Sequence, residues 1–427
     1  MKYFGTDGIR GIPNQTLTIE LCNNLGRALS LLNGNKVIVA TDTRISKDML
    51  AFALMSGALE VGLDVSYAGI LPTPGLIYNT LINDCIGVML TASHNPYHYN
   101  GIKVVNKGRK LSKNEQEKIE YYLDNYICNS QQIGSYQYNE KCYLDYYNFL
   151  KSRVVNTSLK IVIDTANGAT YNIAKEVFKD VTKNLIIINN QPDGTNINHK
   201  CGSTNIETLK TTVLSNNYDL GFAFDGDGDR LICIDSKGRV IDGDLLVYIF
   251  AKYLKQNQQL KNNKVVLTVM SNIGVVKVLK AEQIEVVKAN VGDQNVLSEL
   301  ELNDLVLGGE NSGHIILKDN LNIGDGILNA LYLIKILTAT NLRIEDWVKD
   351  VKMYYDKMLN LKSKDNIVDN PQVVRMIEAL KTKFKDEIEI ILRKSGTEDL
   401  IRLSVMAPTK ETVEDVIKSI LIIINGG

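Results

Sequence analysis

The sequence has almost no net charge and no long apolar run. Its 427 residues carry 48 Lys and Arg against 49 Asp and Glu, which leaves a formal net charge of −1. This balance gives no overall field to attract nucleic acid or an anionic membrane, so an anionic ligand must be bound locally. No apolar run approaches the about 20 residues that cross a bilayer. We therefore expect neither a nucleic-acid partner nor a membrane partner.

Paired cysteine motifs and nucleotide-binding motifs are also missing. The six cysteines form no Cys-x-x-Cys pair, so we expect reduced thiols and a cytoplasmic protein. The first residues, Met1 to Asp7, reach an acid before the apolar stretch of a signal peptide could form. Because neither a P-loop nor a Gly-x-Gly-x-x-Gly pattern is present, nothing indicates ATP or a dinucleotide.

Three segments share one pattern. Each begins with a lysine, continues with a short apolar run and ends at small or polar residues: Lys36–Ala40, Lys160–Asp164 and Lys264–Thr268. Such runs, followed by a turn and by helical spacing, are typical of buried parallel strands in repeated β-α units. The repeats are domain-sized and too far apart for a solenoid.

The end of the chain has a different pattern. The runs Ile388–Leu392 and Leu400–Val405 flank a small-residue turn and predict a hairpin, after which Thr409 can cap a final helix. We therefore predict the α/β fold class, with three similar mixed α/β domains and a smaller C-terminal α+β domain around a central cleft. The expected domains cover residues 1–152, 153–250, 251–362 and 363–427.

Three aspartates alternate with two glycines between residues 225 and 229, flanked by apolar runs. Crowded carboxylates repel one another in a partly desolvated loop, and a bound divalent cation relieves this repulsion. Oxygen ligands favour Mg²⁺ over zinc. An EF-hand fits poorly, because the glycine and glutamate that its loop requires are missing. The alternatives are a solvated turn and a phosphatase of the haloacid dehalogenase type with Asp225 as nucleophile and Asp227 as acid, a pattern from which Asp229 departs.

Ser93 follows the apolar run Ile86–Leu90 in the segment Thr-Ala-Ser-His-Asn-Pro. A serine hydroxyl is a weak nucleophile and needs a base or an ion beside it. His94 and Lys103 are candidates for proton transfer or for neutralising a phosphate. Taken alone, these residue types are more typical of a turn.

Two further segments carry polar groups suited to a sugar phosphate. Residues 308–314 are dense in groups that hydrogen-bond hydroxyls, although a lone His314 beside an apolar strand is more often structural. The turn after Arg393, together with Arg402, can form a nest for an anion, although an ordinary basic hairpin is the alternative. The four segments together supply what phosphoryl transfer without a nucleotide requires.

At these four segments the chain resembles the α-D-phosphohexomutase superfamily, over nearly its whole length. The segments Tyr3–Gly11 and Pro192–Asn198 resemble in particular the members that act on glucosamine phosphates. The resemblance implies a magnesium-dependent isomerase that interconverts glucosamine 6-phosphate and glucosamine 1-phosphate through a phosphoserine. A hexosamine 1,6-bisphosphate is the expected intermediate and activator, and the product would feed UDP-N-acetylglucosamine and peptidoglycan precursor synthesis. The alternatives are a glucose or mannose phosphate mutase of the same superfamily, a metal-dependent sugar phosphatase and a non-catalytic sugar-phosphate sensor.

The resemblance also implies roles for individual residues. Ser93 is expected to carry the phosphate, and the expected Mg²⁺ ligands are this phosphoserine, Asp225, Asp227 and Asp229. The expected charge-stabilising or proton-transfer residues are Arg10, His94, Lys103, Arg230 and His314. The expected substrate-binding residues are Glu310, Asn311, Ser312, Arg393, Ser395, Gly396, Thr397 and Arg402.

Position 311 bears on the choice of substrate. Related glucose and mannose mutases tend to have methionine there, whereas the amide of Asn311 can exchange hydrogen bonds with a 2-amino group. The chain departs from the family pattern at Lys47, Gln294, Asn295, Lys394 and Asp399. None of these positions belongs to the expected nucleophile or metal ligands. The expected partner is a small-molecule sugar phosphate, and the sequence leaves a homodimer open.

Overall fold

The computed structural model describes residues 2–5, 7–125, 132–361, 367–385, 387–394 and 400–426. In these ranges the strands form four sheets that follow one another along the chain.

The first sheet has eight strands: β1 Phe4–Gly5, β2 Gly8–Gly11, β3 Lys36–Thr41, β4 Asp64–Ile70, β5 Ile86–Leu90, β6 Asn100–Asn106, β7 Arg109–Lys110 and β8 Tyr136–Tyr138. Their order is β1-β2-β6-β5-β3-β4-β8, with β7 paired to β6. The associated helices are α1 Ile19–Ala28, α2 Lys47–Glu60, α3 Thr73–Ile82, α4 Lys113–Asn125 and α5 Lys141–Lys151, with a 3-10 turn at Leu29–Leu31. Strand β3 is buried and parallel to β4 and β5, which confirms the first predicted strand.

The second sheet contains β9 Ile161–Asp164, β10 Leu185–Ile188, β11 Leu220–Phe224, β12 Leu231–Asp235 and β13 Val240–Ile241. Its order is β10-β9-β11-β12-β13, and it carries helices α6 Ile173–Lys179 and α7 Glu207–Ser215. Strand β9 is parallel to β10 and β11, which confirms the second predicted strand. Strands β11 and β12 form an antiparallel pair, so the aspartate loop is the turn of a hairpin.

The third sheet contains β14 Lys264–Thr268, β15 Glu285–Ala289, β16 Leu307–Gly309 and β17 Ile315–Leu317 in the order β15-β14-β16-β17. Its helices are α8 Gly243–Gln256, α9 Ile273–Ala281, α10 Asp293–Leu302, α11 Gly326–Thr340 and α12 Ile344–Val348, with a 3-10 turn at Lys261–Asn263. Strand β14 is parallel to β15 and β16, which confirms the third predicted strand.

The fourth sheet is antiparallel and has the strand order β18-β20-β19, with β18 Tyr355–Leu361, β19 Glu389–Lys394 and β20 Ile401–Ala407. Helices α13 Pro371–Phe384 and α14 Lys410–Gly426 and a 3-10 turn at Ile367–Asp369 accompany it. The predicted hairpin and the final helix are confirmed, and Thr409 accepts a hydrogen bond from the backbone of Thr412, as a cap does. The tip of the hairpin lies outside the described residues.

The first three sheets share one apolar core, whereas the fourth has its own. A continuous cluster of buried side chains runs from Ile38 in the first sheet through Phe222 in the second to Leu331 on α11. A separate cluster, which includes Leu403 and Val416, lies between the fourth sheet and its helices. Three mixed sheets with their helices, followed by a smaller antiparallel sheet, confirm the predicted α/β fold class.

Two observations concern the state of the cysteines and the presence of membrane-spanning helices. The described cysteines are all buried and carry free thiols: Cys22, Cys85, Cys142, Cys201 and Cys233. Within the part of the chain that the structure covers, no helix combines the length and the apolar character needed to cross a bilayer.

A buried hydrogen bond ties the first sheet's layer to the third. The hydroxyl of Tyr146 on α5 donates to Oδ2 of Asp325 at 2.9 Å, and Oδ1 of Asp325 accepts from the backbone of Leu328 at 2.9 Å and so caps α11. Burial raises the pKa of Asp325 to about 7. The carboxyl group is therefore protonated over part of the physiological pH range.

This carboxyl group should make the stability of the protein depend on pH. Its folded pKa lies above its ordinary value, so its contribution to folding is complete below about pH 4 and is lost as the pH rises toward 7. Asparagine can keep the cap through its Oδ1, while its uncharged Nδ2 donates to the Tyr146 hydroxyl. The free energy of unfolding of Asp325→Asn, relative to that of the unsubstituted chain, should rise by about 2.5 kcal/mol between pH 5 and pH 8. Each pH unit between the two pKa values is worth about 1.4 kcal/mol, and roughly two such units lie between pH 5 and the folded pKa. Urea unfolding at both pH values measures this gain, and an equal difference at both would contradict the raised pKa.

Candidate functional site

Loops at the carboxyl ends of parallel strands form the site. The loop after β5 carries Ser93, the loop after β11 carries the aspartates, and the loop after β16 carries residues 310–314. In open α/β sheets these strand ends are where ligands bind. The loops are joined directly, since Ser93 bonds to Asp225 and the backbone of Leu231 donates to Gly313 at 3.0 Å.

Ser93 is buried beside two groups that can activate or hold it. Only 1% of its surface is exposed. Its hydroxyl donates to Oδ2 of Asp225 at 2.6 Å and lies 3.4 Å from Nδ1 of His94. Its φ of 50° lies in the left-handed region, which costs a residue other than glycine conformational free energy. Such strain persists only where surrounding contacts hold the backbone in place.

Arg44 and Asn198 supply those contacts, and sequence reasoning did not assign them to the site. The guanidinium of Arg44 is fully buried, pairs with Asp42 at 2.8 Å and donates to the carbonyls of Ser93, Asn95, Pro96 and Tyr99 at 2.5 to 3.0 Å. The amide of Asn198 donates to the Ser93 carbonyl at 2.8 Å. Two donors therefore hold the carbonyl of the strained serine.

The three aspartates lie close enough together to share one ion. Each offers an oxygen within 4.8 Å of the others, and all three are buried. Among the described residues, Oδ1 of Asp227 and Oδ1 of Asp229 accept no hydrogen bond. Glycine is required at position 226, because a Cβ there would lie 2.5 Å from the Ser93 carbonyl oxygen. The loop therefore packs directly against the serine.

The electrostatics of this triad fit a cation. Burial and the neighbouring charges of Asp229 and Asp227 raise the pKa of Asp225 well above its ordinary value. Buried, unpartnered carboxylate oxygens are costly unless a positive charge compensates them. The donors are all oxygens, which hard divalent cations prefer. The triad thus has the donor set and the charge to hold a divalent metal ion.

Lys103 is a buried cation at the same loop. Its ammonium lies 2.8 Å from Oδ2 of Asp227, 3.0 Å from Oδ2 of Asp7 and 3.4 Å from Oδ2 of Asp229. Burial alone would lower the pKa of Lys103, but the carboxylates outweigh it and raise the pKa well above its ordinary value. A lysine held so firmly in its charged form suits charge stabilisation better than proton acceptance.

Two arginines flank the cluster. Arg10 pairs with Asp7 at 3.0 Å, and Nε of Arg230 lies 3.8 Å from Oδ1 of Asp229 and 4.0 Å from Oδ2 of Asp225. The side chain of Arg230 is mostly buried at the aspartate loop. Arg230 therefore lies beside the aspartate that Ser93 contacts, and Arg10 lies beside the aspartate that pairs with Lys103.

His94 is a neutral imidazole beside the serine. Burial and the nearby charges of Arg230 and Arg10 lower the pKa of His94 to about 3. A neutral ring can accept a hydrogen bond from the Ser93 hydroxyl but brings no positive charge to a phosphate.

The loop between β16 and β17 carries the predicted sugar-binding residues. Oε1 of Glu310 accepts from the backbone of Gly292 at 2.9 Å, which ties this loop to the start of α10. Asn311 is exposed, Ser312 is half-buried and His314 is buried. The exposed amide of Asn311 is accessible to a ligand.

The predicted phosphate clamp is only partly described. Arg393 on β19 and Arg402 on β20 lie opposite each other in the antiparallel register. Burial and the charge of Arg402 lower the pKa of Arg393, and two facing cations favour an anion between them. Ser395, Gly396 and Thr397 lie outside the described residues, as do Asp399 and the boundary near residue 362.

The structure thus gathers most of the predicted side chains and adds four that were not assigned to the site. Ser93, His94, Lys103, Arg230 and the three aspartates form one cluster, and Asp7 connects Arg10 to it. The added residues are Asp7, Arg44, Thr73 and Asn198. Asp7 and Asn198 lie in the two segments that carry the family resemblance. No such signal marks Thr73, whose hydroxyl donates a hydrogen bond to Asp227 at 2.5 Å.

The chain matches three family models in order along its length. These are phosphoglucomutase/phosphomannomutase, alpha/beta/alpha domain I over residues 1–127, domain II over residues 141–238 and domain III over residues 242–354. Curated relatives include a phosphoglucosamine mutase of Fusobacterium nucleatum, 44% identical over 98% of each chain. A phosphoglucosamine mutase of Finegoldia magna is 40% identical over 97% of this chain and 96% of the relative.

Solved structures share the fold. A phosphoglucomutase/phosphomannomutase family protein from Burkholderia thailandensis superposes with a TM-score of 0.83 at 24% identity, covering 99% of this chain and 97% of the other. The N-acetylphosphoglucosamine mutase of Aspergillus fumigatus in complex with GlcNAc-6P and magnesium gives a TM-score of 0.64 at 17% identity, covering 100% and 96%.

Proposed function

The chain belongs to the phosphoglucomutase/phosphomannomutase family, and we propose that within it the chain is a phosphoglucosamine mutase, an isomerase that interconverts glucosamine 6-phosphate and glucosamine 1-phosphate. The observation that carries this proposal is the 2.6 Å contact between the Ser93 hydroxyl and Asp225, in a triad of buried carboxylates. A nucleophile held against a metal site suits phosphoryl transfer. Relatives of 40% to 44% identity over nearly the whole chain bear the name phosphoglucosamine mutase and favour this substrate over glucose or mannose phosphates.

Ser93 is the proposed phosphate carrier. Phospho-Ser93 gives its phosphoryl group to the free hydroxyl of glucosamine 6-phosphate, which forms glucosamine 1,6-bisphosphate. The bisphosphate then returns its other phosphate to Ser93 and leaves as glucosamine 1-phosphate. The serine oxygen and the accepting hydroxyl must lie in line, which the rigid hold of Arg44 and Asn198 on the Ser93 backbone supports.

The proposed metal ligands are Asp225, Asp227, Asp229 and the phosphate on Ser93, and the proposed ion is Mg²⁺. When bound, Mg²⁺ neutralises charge on the transferring phosphoryl oxygens. Lys103 and Arg230 place fixed positive charges beside the same group, so part of this stabilisation comes from the chain itself. Arg10 can contribute a further charge, while His94 and His314 are the proposed proton-transfer candidates.

Burial protects the carrier from water. Ser93 and the three aspartates are at most 5% exposed. Solvent at this point would hydrolyse the phosphoserine and the bisphosphate, which would turn a mutase into a phosphatase. The enclosed position of Ser93 therefore suits transfer between sugars.

Substrate recognition is assigned to two other loops. Glu310 and Ser312 are proposed to bind sugar hydroxyls, and Asn311 is proposed to bind the 2-amino group. Arg393 and Arg402, with Ser395, Gly396 and Thr397, are proposed to bind the phosphate that is not being transferred. The hexosamine 1,6-bisphosphate is the proposed activator, since it can phosphorylate an unmodified Ser93.

Phosphorus NMR tests this function. Purified protein with Mg²⁺ and a trace of hexose 1,6-bisphosphate is given glucosamine, glucose or mannose 6-phosphate in turn. We expect the 1-phosphate resonance to grow fastest with glucosamine 6-phosphate. Faster conversion of glucose or mannose 6-phosphate would contradict the assigned substrate, and inorganic phosphate as the main product would contradict the mutase itself.

A further inference from the structure

A row of buried and half-buried side chains of alternating charge connects the aspartate loop to His314. It runs from Asp227 to Lys103, Asp7, Lys110, Asp293 and His314, with successive contacts between 2.5 and 3.5 Å. Lys103 and Asp7 already belong to the site described above. Lys110 and Asp293 have not been given a role.

Lys110 spans the gap between the first sheet and the third. It ends β7, and its ammonium lies 2.6 Å from Oδ1 of Asp7 and 2.5 Å from Oδ2 of Asp293, the first residue of α10. The side chains of Lys110 and Asp293 are 14% and 16% exposed. The cavity beside the pair measures about 10 Å³, at the lower limit for one water molecule. The ion pair is therefore a direct and mostly buried contact.

Asp293 also faces the imidazole of His314. Its Oδ2 lies 3.5 Å from Nε2, an ion-pair distance. Burial would raise the pKa of Asp293, but the charges of Lys110 and His314 outweigh it and lower the pKa. Among the described residues, neither ring nitrogen of His314 makes a hydrogen bond, although the ring is almost fully buried. A buried imidazole of this kind takes its hydrogen bonds from a bound ligand or an ordered water.

We propose that Lys110 and Asp293 are positioning residues for His314. Lys110 holds the Asp293 carboxylate in place from the first sheet, and this carboxylate faces Nε2, which leaves Nδ1 for the substrate. A carboxylate behind a histidine sets the ring orientation and the nitrogen that carries the proton. The inference rests on the proposed function, because it assumes that His314 contacts the sugar phosphate.

The two residues should act as one unit, which a double-mutant cycle can measure. In Lys110→Met, Asp7 keeps Lys103 and Arg10 as charged partners, whereas Asp293 keeps His314 and the backbone N–H of Gln294. In Asp293→Asn, the charge facing His314 is lost. We expect each substitution to lower kcat about 10- to 100-fold with KM within about threefold, because misplacement of a reacting group costs about that much. We expect the double variant to be no slower than the slower single variant.

Two further variants separate positioning from a general loss of stability. Lys110→Arg keeps the charge and should recover most of kcat. Tyr146→Phe is the matched control, because it also breaks a buried contact between the first sheet's layer and the third, and it should lower the unfolding temperature with little change in kcat.

The outcomes distinguish this inference from the function on which it rests. An unsubstituted chain that does not convert glucosamine 6-phosphate would contradict the function. An active unsubstituted chain whose two single variants keep its kcat would overturn the positioning role alone. Additive losses in the double variant, or losses of kcat in Tyr146→Phe as large as in Asp293→Asn, would overturn it as well.

Discussion

Replacement of Ser93 by alanine is expected to abolish mutase turnover while leaving the protein folded. Loss of a covalent nucleophile typically costs a factor on the order of 10⁴ or more in kcat, because no other group can carry the transferred phosphate. The measurement is conversion of glucosamine 6-phosphate in the presence of Mg²⁺ and bisphosphate. Incubation with bisphosphate labelled in its phosphates should also label the unsubstituted chain but not Ser93→Ala.

Ser66→Ala is the matched control for this experiment. Ser66 lies on β4 of the same sheet, and its hydroxyl accepts a hydrogen bond from the side-chain amide of Gln137 at 2.9 Å. This variant should keep full turnover and full labelling. Phosphate release from sugar phosphates that survives in Ser93→Ala would instead favour a phosphatase with Asp225 as nucleophile. A sensor without catalysis would show no turnover in any variant, including the unsubstituted chain.

Asp229→Asn is expected to have the second largest effect on activity. It should weaken Mg²⁺ binding while leaving the protein folded. The Ser93 hydroxyl bonds to Asp225, and Asp229 contributes another of the three clustered carboxylates. We expect Mg²⁺ affinity to fall at least about 100-fold, since even groups behind the ligands are worth 10- to 100-fold. Activity at limiting Mg²⁺ should fall in parallel and return in part at high Mg²⁺.

Thermal unfolding provides the sharper readout for this variant. The crowding that raises the pKa of Asp225 comes in part from Asp229, so in chelator the variant should be at least as stable as the unsubstituted chain. Mg²⁺ at 100 times its dissociation constant should stabilise the unsubstituted chain by about 2.7 kcal/mol and the variant by much less.

Asp235→Asn controls for the loss of a buried carboxylate. Asp235 lies on β12, on the same hairpin but outside the triad, and accepts backbone hydrogen bonds from Lys237 and Arg239. It should lower stability equally with and without Mg²⁺. Equal stabilisation of all three proteins by Mg²⁺ would contradict a metal site at the triad.

Local patterns predicted a large part of the fold. The lysine-led apolar runs gave the positions of β3, β9 and β14, because a parallel strand that is buried on both faces needs a continuous apolar segment. The aspartate triad was also recognisable from a local pattern, since its three carboxylates lie within five consecutive residues. The proposed metal-binding geometry depends on one short hairpin turn.

Contacts between distant segments could not be predicted in this way. Ser93 and Asp225 are separated by 132 positions, and Lys103 and Asp227 by 124. No periodicity links them, because their distance depends on how two sheets pack. The same holds for Arg44, whose four carbonyl contacts depend on the path of a loop about 50 residues away.

The sequence by itself determined the kinds of chemistry available to this protein: a serine, a triad of carboxylates, a loop for hydroxyls and a pair of arginines. Only the tertiary structure decided which of these groups act together. Strand and turn preferences are encoded over a few neighbouring residues, whereas the common core of three sheets brings loops from three segments to one place. That packing also places Lys110 against Asp293, a pair for which the sequence carries no signal.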